Sequence, residues 1–303
     1  MTILEAMEDD RAFGRFFRGD SWTAWKAFLA ALFALPPTDE QRALYQKHTG
    51  RSLWPAVPFR EAWLCCGRRS GKSLIAALIS TYLAVFRDHA QHLGPGEVAT
   101  AMVVSPDRRQ SRIVGRFQRG FFRGVPALTS MVTNETRDSL ELSNQTVLEA
   151  QTADERTLRG YSALLIINDE IAFLPTESNA SPDSEILNAE RPCLVSLPES
   201  LLLSISSPYA RRGELWNAYE RHFGRDDSPA LFWKATSLEM NPSLDAHIIA
   251  AAFEQDAAVA QAEWNANFRS DCERPFSAEM LEMATDDDRP LVLPPDFSEE
   301  EFA

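Results

Sequence analysis

The eleven residues from Trp63 to Ser73, reading Trp-Leu-Cys-Cys-Gly-Arg-Arg-Ser-Gly-Lys-Ser, constrain this chain more than any other stretch. An apolar run enters a short Gly/Arg/Ser loop, and Lys-Ser then opens a helical pattern over residues 74–86. Strand, tight loop and helix in that order form a cradle for phosphate, because loop amides and the positive end of the helix converge on one point. In such a cradle Lys72 would reach the β- and γ-phosphates of a nucleotide, and the Ser73 hydroxyl would ligate Mg²⁺. Gly67, Arg68, Arg69, Ser70 and Gly71 would line it. The Walker A pattern G-x-x-x-x-G-K-[ST] asks for Gly where Cys66 stands, and the nearest Gly comes one place later, at Gly67. A plain strand-to-helix bend with a solvated lysine is the alternative reading of the same letters.

Leu164-Leu-Ile-Ile-Asn168-Asp169-Glu170 supplies the second half of the pattern. Four large aliphatics in a row imply burial on both faces, the habit of a central parallel strand. Ligands of such sheets bind beyond the C-terminal strand ends, so Asp169 and Glu170 would project toward the phosphate loop. Asp169 would then hold Mg²⁺, and Glu170 would polarise the attacking water. The alternative is an Asp-Glu pair that merely caps the next helix. Chains of this catalytic-glutamate kind place a further strand between their two motif strands, and residues 98–104 are the expected candidate.

Two amphipathic segments are expected ahead of the loop, over residues 9–18 and 21–35, the second with Trp22, Trp25, Phe28 and Leu32 at helical spacing for packing. Thr38-Asp-Glu-Gln41 predicts a capped helix to about His48. Beyond the phosphate loop, strands and helices alternate as in a doubly wound sheet. Residues 139–142 and 146–150 flank Asn144-Gln145 as an added β-hairpin, residues 201–205 and 231–235 are further strands, and helices are expected over 108–122, 212–222, 244–254 and 257–268. The expected fold is therefore an α/β P-loop NTPase of the catalytic-glutamate class. It has a mostly parallel sheet flanked by helices, an added hairpin and N-terminal helices. The chain divides into an N-terminal helical segment (1–50), a P-loop ATPase domain (51–275) and an acidic tail or linker (276–303).

Composition narrows the partners. The net charge of −14 argues against broad adhesion to nucleic acid. The balance is uneven: from Glu279 onward nine acids face one base, so that stretch carries −8 and the rest of the chain −6. Conversely, Arg108, Arg109, Arg112, Arg116, Arg119 and Arg123 recur through one amphipathic segment, either as a DNA-facing stripe or as a solvated helix face. Cys65, Cys66, Cys193 and Cys272 lack C-x-x-C spacing, so no thiolate metal site is expected and a reducing cytoplasm is the simplest setting. Acids at Glu5, Glu8, Asp9 and Asp10 replace a basic n-region, and the longest uncharged apolar run is too short to span a bilayer, so neither secretion nor a membrane is expected.

With both motifs placed, the chain resembles the ATPase domain of a phage terminase large subunit. The resemblance rests on Gly67-Arg-Arg-Ser-Gly-Lys-Ser73, Arg159-Gly-Tyr161, Asp169-Glu-Ile-Ala-Phe173 and Ile205-Ser-Ser-Pro-Tyr209, and covers residues 38–274. It implies ATP and Mg²⁺ as cofactors, with Lys72, Ser73, Asp169 and Glu170 in the roles given above. It further implies an arginine finger at Arg159 acting in a neighbouring subunit, a coupling motif at Ser206, Ser207 and Pro208, and an adenine contact at Gln41. The implied partners are double-stranded DNA, a portal protein, a small terminase subunit and further copies of the chain in a ring, in the cytoplasm of a bacterial host. Terminase large subunits continue into a nuclease domain. After Arg274-Pro-Phe-Ser this sequence offers only the acidic stretch, so DNA cleavage is not expected from this polypeptide. A helicase-like ATPase and a degenerate prophage domain that keeps nucleotide only as a scaffold remain the alternatives.

Overall fold

Apolar runs account for the centre of the molecule. In the computed structural model, which describes residues 1–153, 158, 160–174 and 182–269, six strands run parallel: β1 (Glu61–Cys66), β2 (Ala99–Ser105), β5 (Thr146–Thr152), β6 (Ser162–Asp169), β7 (Leu201–Ser206) and β8 (Leu231–Ala235). β3 (Val132–Glu135) and β4 (Ser139–Leu142) extend the sheet antiparallel beside β5, in the order β3-β4-β5-β2-β6-β7-β1-β8. β1, β2, β6 and β7 are buried along almost their whole length. Helices must therefore cover both sheet faces. The expected hairpin is present with one more strand, and the fold is the mostly parallel, helix-flanked α/β sheet that the patterning predicts.

The helices are α1 (Ile3–Glu8), α2 (Thr23–Leu32), α3 (Asp39–Thr49), α4 (Lys72–Phe86), α5 (Arg108–Gly124), α6 (Pro126–Thr129), α7 (Pro182–Glu190), α8 (Glu214–His222), α9 (Ser237–Met240), α10 (Ala246–Gln255) and α11 (Ala257–Glu263). Among the described residues no helix is long and apolar enough to cross a membrane. One large apolar cluster joins α1, α2, α4 and α5 to one face of the sheet, with Trp25, Phe28, Leu64, Ile79, Phe121 and Ile167 among its members. A smaller one on the other face gathers Trp63, Cys65, Ile166, Leu202 and Phe232 under α7 and α8.

Two expectations need correction. The strand lying between the two motif strands is β7, because β1 and β6 both pair with it in parallel register, Cys65 opposite Ser206 and Asp169 opposite Ile205. β2 flanks β6 on its far side. Spatial order in a sheet is set by crossover connections, which local apolar patterning does not encode. Residues 9–18 do not form one amphipathic helix either. The chain doubles back after α1 through a 3₁₀ turn at Gly14–Phe16, where a Cβ on Gly14 would sit 2.7 Å from the Glu8 carbonyl oxygen. α1 itself, closed by a Thr2/Glu5 capping box, was not expected. Residues 270–303, including the acidic tail, lie outside the described residues.

Candidate nucleotide site

β1 ends at Cys66 and α4 begins at Lys72, leaving five residues to turn the chain. Five successive carbonyls across this junction each accept a hydrogen bond from a side chain. Lys72 Nζ donates to Cys66 O (2.7 Å) and Gly67 O (3.0 Å), Ser237 Oγ to Arg68 O (2.7 Å), Asn241 Nδ2 to Arg69 O (2.9 Å) and Trp25 Nε1 to Ser70 O (2.9 Å). A trans peptide points its C=O and the following N–H in opposite directions. Holding the carbonyls of Arg68, Arg69 and Ser70 outward therefore turns the amides of Arg69, Ser70 and Gly71 inward, the geometry of an anion-binding nest. Arg69 (φ 59°) and Gly71 (φ 102°) take the left-handed conformations this turn needs. Gly71 is also the N-cap of α4 and offers no side-chain acceptor, so the Lys72 and Ser73 amides stay available to an anion, while the Leu74 amide donates to Gly71 O at 3.1 Å.

The displaced glycine of the motif has a physical reason. A Cβ at Gly67 would meet Ser237 Oγ at 2.2 Å and Trp264 O at 2.5 Å. Cys66 completes the strand, paired with Ala235, while Gly67 passes beneath the turn after β8. Arg68 is tied sideways, its amide to Glu263 O (2.6 Å) and its guanidinium to the Glu263 carboxylate (3.1 Å).

Asp169 and Glu170 stand at the C-terminal end of β6, on the same edge of the sheet as the loop. Asp169 is buried and accepts no hydrogen bond from a described residue. Burial, then the neighbouring Glu170 carboxylate, push its carboxyl up to about 7, while the Lys72 ammonium pulls it down. Lys72 is thus close enough to act on Asp169. A buried carboxylate with no hydrogen-bond partner among the described residues, at the sheet edge that also carries the Lys72-Ser73 helix start, suits Mg²⁺, which takes few protein oxygens and completes its shell with phosphate and water. Among the described residues no cluster of three His, Cys, Asp or Glu could hold a metal alone.

Glu170 sits in the left-handed region (φ 60°, ψ 44°), an uncommon setting for a glutamate, with its amide bonded to Ile205 O at 2.8 Å. Ser206 Oγ lies 3.1 Å from Glu170 Oε2 and 2.8 Å from Ser207 O. The Ser207 hydroxyl lies 3.3 Å from both Lys72 Nζ and Cys66 O. The serine pair after β7 therefore touches the lysine of one motif and the glutamate of the other.

Behind Asp169, on the opposite sheet face, Asn168 Nδ2 donates to Glu190 Oε2 at 2.7 Å. Glu190 is fully buried, and that burial pushes its carboxyl up to about 8 against the smaller pulls of Asn168 and Arg191. This pair, and the loop clamps Trp25, Ser237 and Asn241, escaped the sequence reading. Only the helical spacing of Trp25 was visible, and it signalled packing alone.

Gln41 closes the capping box of α3, its Oε1 accepting from Thr38 N at 3.0 Å. Arg159 lies outside the described residues. Of the six arginines of α5, Arg112 pairs with Asp138 (2.6 Å), and Arg119 and Arg123 with Glu135 (3.0 and 2.9 Å). Arg108, Arg109 and Arg116 are exposed and hold no ion pair among the described residues.

No family model matches the chain, and no curated protein matches it. Solved structures do. The large terminase ATPase domain of Thermus phage P74-26 superposes with a TM-score of 0.55 at 18% identity, covering 80% of this chain and 97% of that domain. A single-residue variant of the same domain gives 0.56 at 16% identity. The HK97 bacteriophage large terminase gives 0.52 at 19% identity, over 70% of this chain and 47% of its own. The chain has the fold of the ATPase domains of phage large terminases.

Proposed function

We propose that this chain hydrolyses ATP and couples hydrolysis to the movement of double-stranded DNA into a viral procapsid, as the motor subunit of a packaging terminase. The observation that carries this reading is the contact of Ser206 and Ser207 with Glu170 and Lys72 across the loop-bearing edge of the sheet. A fold-stabilising turn has no need for a buried lysine, a buried aspartate unpaired among the described residues and a left-handed glutamate converging there. The fold likeness to terminase ATPase domains points the same way.

In this reading the inward amides of residues 69–71 and the Lys72 ammonium bind the polyphosphate, Lys72 exchanging the Cys66 and Gly67 carbonyls for phosphate oxygens. Ser73 and Asp169 hold Mg²⁺, which neutralises phosphate charge when bound. Glu170 accepts the proton of the attacking water, oriented through Ser206. Ser207 loses or regains Lys72 as the γ-phosphate comes and goes, and β7 carries that change, with Pro208 and α8 beyond it. Arg159 acts as the trans finger in a ring of copies, an effect of about 10³–10⁵ in rate. Arg108, Arg109 and Arg116 contact DNA phosphates, while portal protein and small subunit complete the machine in the bacterial cytoplasm.

The deciding experiment is an ATPase assay on the purified chain, alone and with linear duplex DNA and portal protein. Turnover that rises with DNA and portal is expected. A chain that binds ATP without ever hydrolysing it would leave only the scaffold alternative.

A further inference from the structure

The N-terminal helices were expected to be a separate packing segment, yet one of their side chains reaches the phosphate loop. Trp25 is fully buried on α2, and its indole N–H donates to Ser70 O at 2.9 Å, spanning forty-five residues of sequence. The indole also stands against the loop's tightest residue: a Cβ on Gly71 would lie 3.3 Å from Trp25 Nε1 and 3.7 Å from the Trp22 ring.

We propose that Trp25 is a positioning residue for nucleotide binding, its indole fixing the Ser70–Gly71 peptide so that the Gly71 amide faces the phosphate. The proposal rests on the nucleotide reading above. Three carbonyls hold the nest open, at Arg68, Arg69 and Ser70. Two of their donors, Ser237 and Asn241, come from α9 and the residue after it, whereas Trp25 comes from α2, in the N-terminal part of the chain. Without it, the plane nearest the helix start is free to rotate, because Gly71 carries no side chain to resist. The anchor is itself rigid. Trp25 meets Phe28 edge-on at 5.9 Å, and Phe28 meets Trp233 of β8 at 5.6 Å. Trp22 packs on Phe17 at 5.0 Å, and Phe13, Phe16 and Phe17 close on Phe121 of α5.

The test is Trp25→Phe in the full chain, with binding of ATP and ADP measured by calorimetry and KM separated from kcat. Phenylalanine keeps most of the packing and removes the N–H. Dissociation constants for both nucleotides should rise about tenfold, the scale of one buried hydrogen bond, with kcat changed far less. Trp54→Phe is the control: its indole donates to Leu35 O at 3.0 Å and not to a loop carbonyl, so it should lower stability and leave affinity unchanged. Equal affinity in folded Trp25→Phe and wild type would overturn the proposal. If Trp25→Phe does not fold, the wild-type chain labelled with ¹⁵N-tryptophan decides: the Trp25 indole resonance should shift on adding ADP, and an unmoved resonance sinks the idea. A wild type that binds no nucleotide removes the reading beneath and takes this proposal with it. Binding lost in both tryptophan variants alike would mark Trp25 as structural only.

Discussion

Ser206 Oγ stands 3.1 Å from Glu170 Oε2, so a serine at the end of one strand orients the carboxylate at the end of its neighbour. Glu170 has no freedom to spare, with its backbone in the left-handed region and its amide bonded to Ile205 O. Ser206→Ala should lower kcat about tenfold while leaving ATP affinity intact, since only the aim of the carboxylate is lost. Steady-state turnover beside equilibrium nucleotide binding checks this, and a change confined to affinity would contradict it.

Glu170→Gln keeps the shape of the side chain and removes its basicity. Hydrolysis should fall by about 10²–10⁴ with nucleotide still bound, as expected for a lost general base. Lys72→Ala should instead abolish binding. It also leaves the buried Gly67 carbonyl without its side-chain donor and Cys66 O with Ser207 Oγ alone, at a cost of about 1–3 kcal/mol in folding stability. Calorimetry and thermal melts of the two variants should therefore show opposite patterns.

Gly67→Ala places a methyl 2.5 Å from the Trp264 carbonyl, which is backbone and cannot swing aside. We expect destabilisation of about 1–3 kcal/mol, the range for overpacking, together with weakened nucleotide binding as the loop shifts. Chemical denaturation measures the first effect. Wild-type stability in this variant would show that the turn after β8 moves easily.

Glu190 gives the protein a pH signature. Its carboxyl is raised from an ordinary 4.5 to about 8 by burial, so the folded chain binds this proton more tightly than the unfolded chain does. The stability contribution is full below about 4.5 and is lost progressively as pH rises through about 8. Asn168 and Arg191 face the group and only partly offset the burial. Glu190→Gln cannot ionise and should become more stable relative to wild type by several kcal/mol between about pH 5 and about pH 9. Parallel unfolding curves at both pH values would refute it.

Arg108, Arg109 and Arg116 should matter for DNA and little for folding. Replacing all three by Ala should flatten the salt dependence of DNA binding by about three in log–log slope and leave the melting temperature near wild type. Arg112→Ala, which breaks the pair with Asp138, should do the reverse. Filter binding at graded salt separates the two outcomes.

Much of this site was legible in the letters because its chemistry is local. The loop from Gly67 to Ser73 and the run from Leu164 to Glu170 each declare strand, turn and charge within a dozen positions, and both lie where the patterning predicts. The capping box of Thr38 and Gln41 was equally plain, being a three-residue interaction. What stayed hidden is long-range. Ser237 and Asn241 hold carbonyls roughly 170 positions away, and nothing near them distinguishes them from ordinary turn residues. The intervening strand was misplaced for the same reason: β2 and β7 are equally apolar, and only the crossovers decide which one lies beside β1.

The place of β7 has a mechanical consequence. It is hydrogen-bonded along both edges, to the strand that delivers the lysine and to the strand that delivers the glutamate. Any change in spacing between those two must load this middle strand, which continues past Pro208 into α8. There Trp216 and Tyr219 interlock with Phe268 at ring separations of 4.8 and 5.5 Å. An ångström-scale displacement at the end of β7 would reach that aromatic clasp through only the seven residues between Ser206 and Glu214.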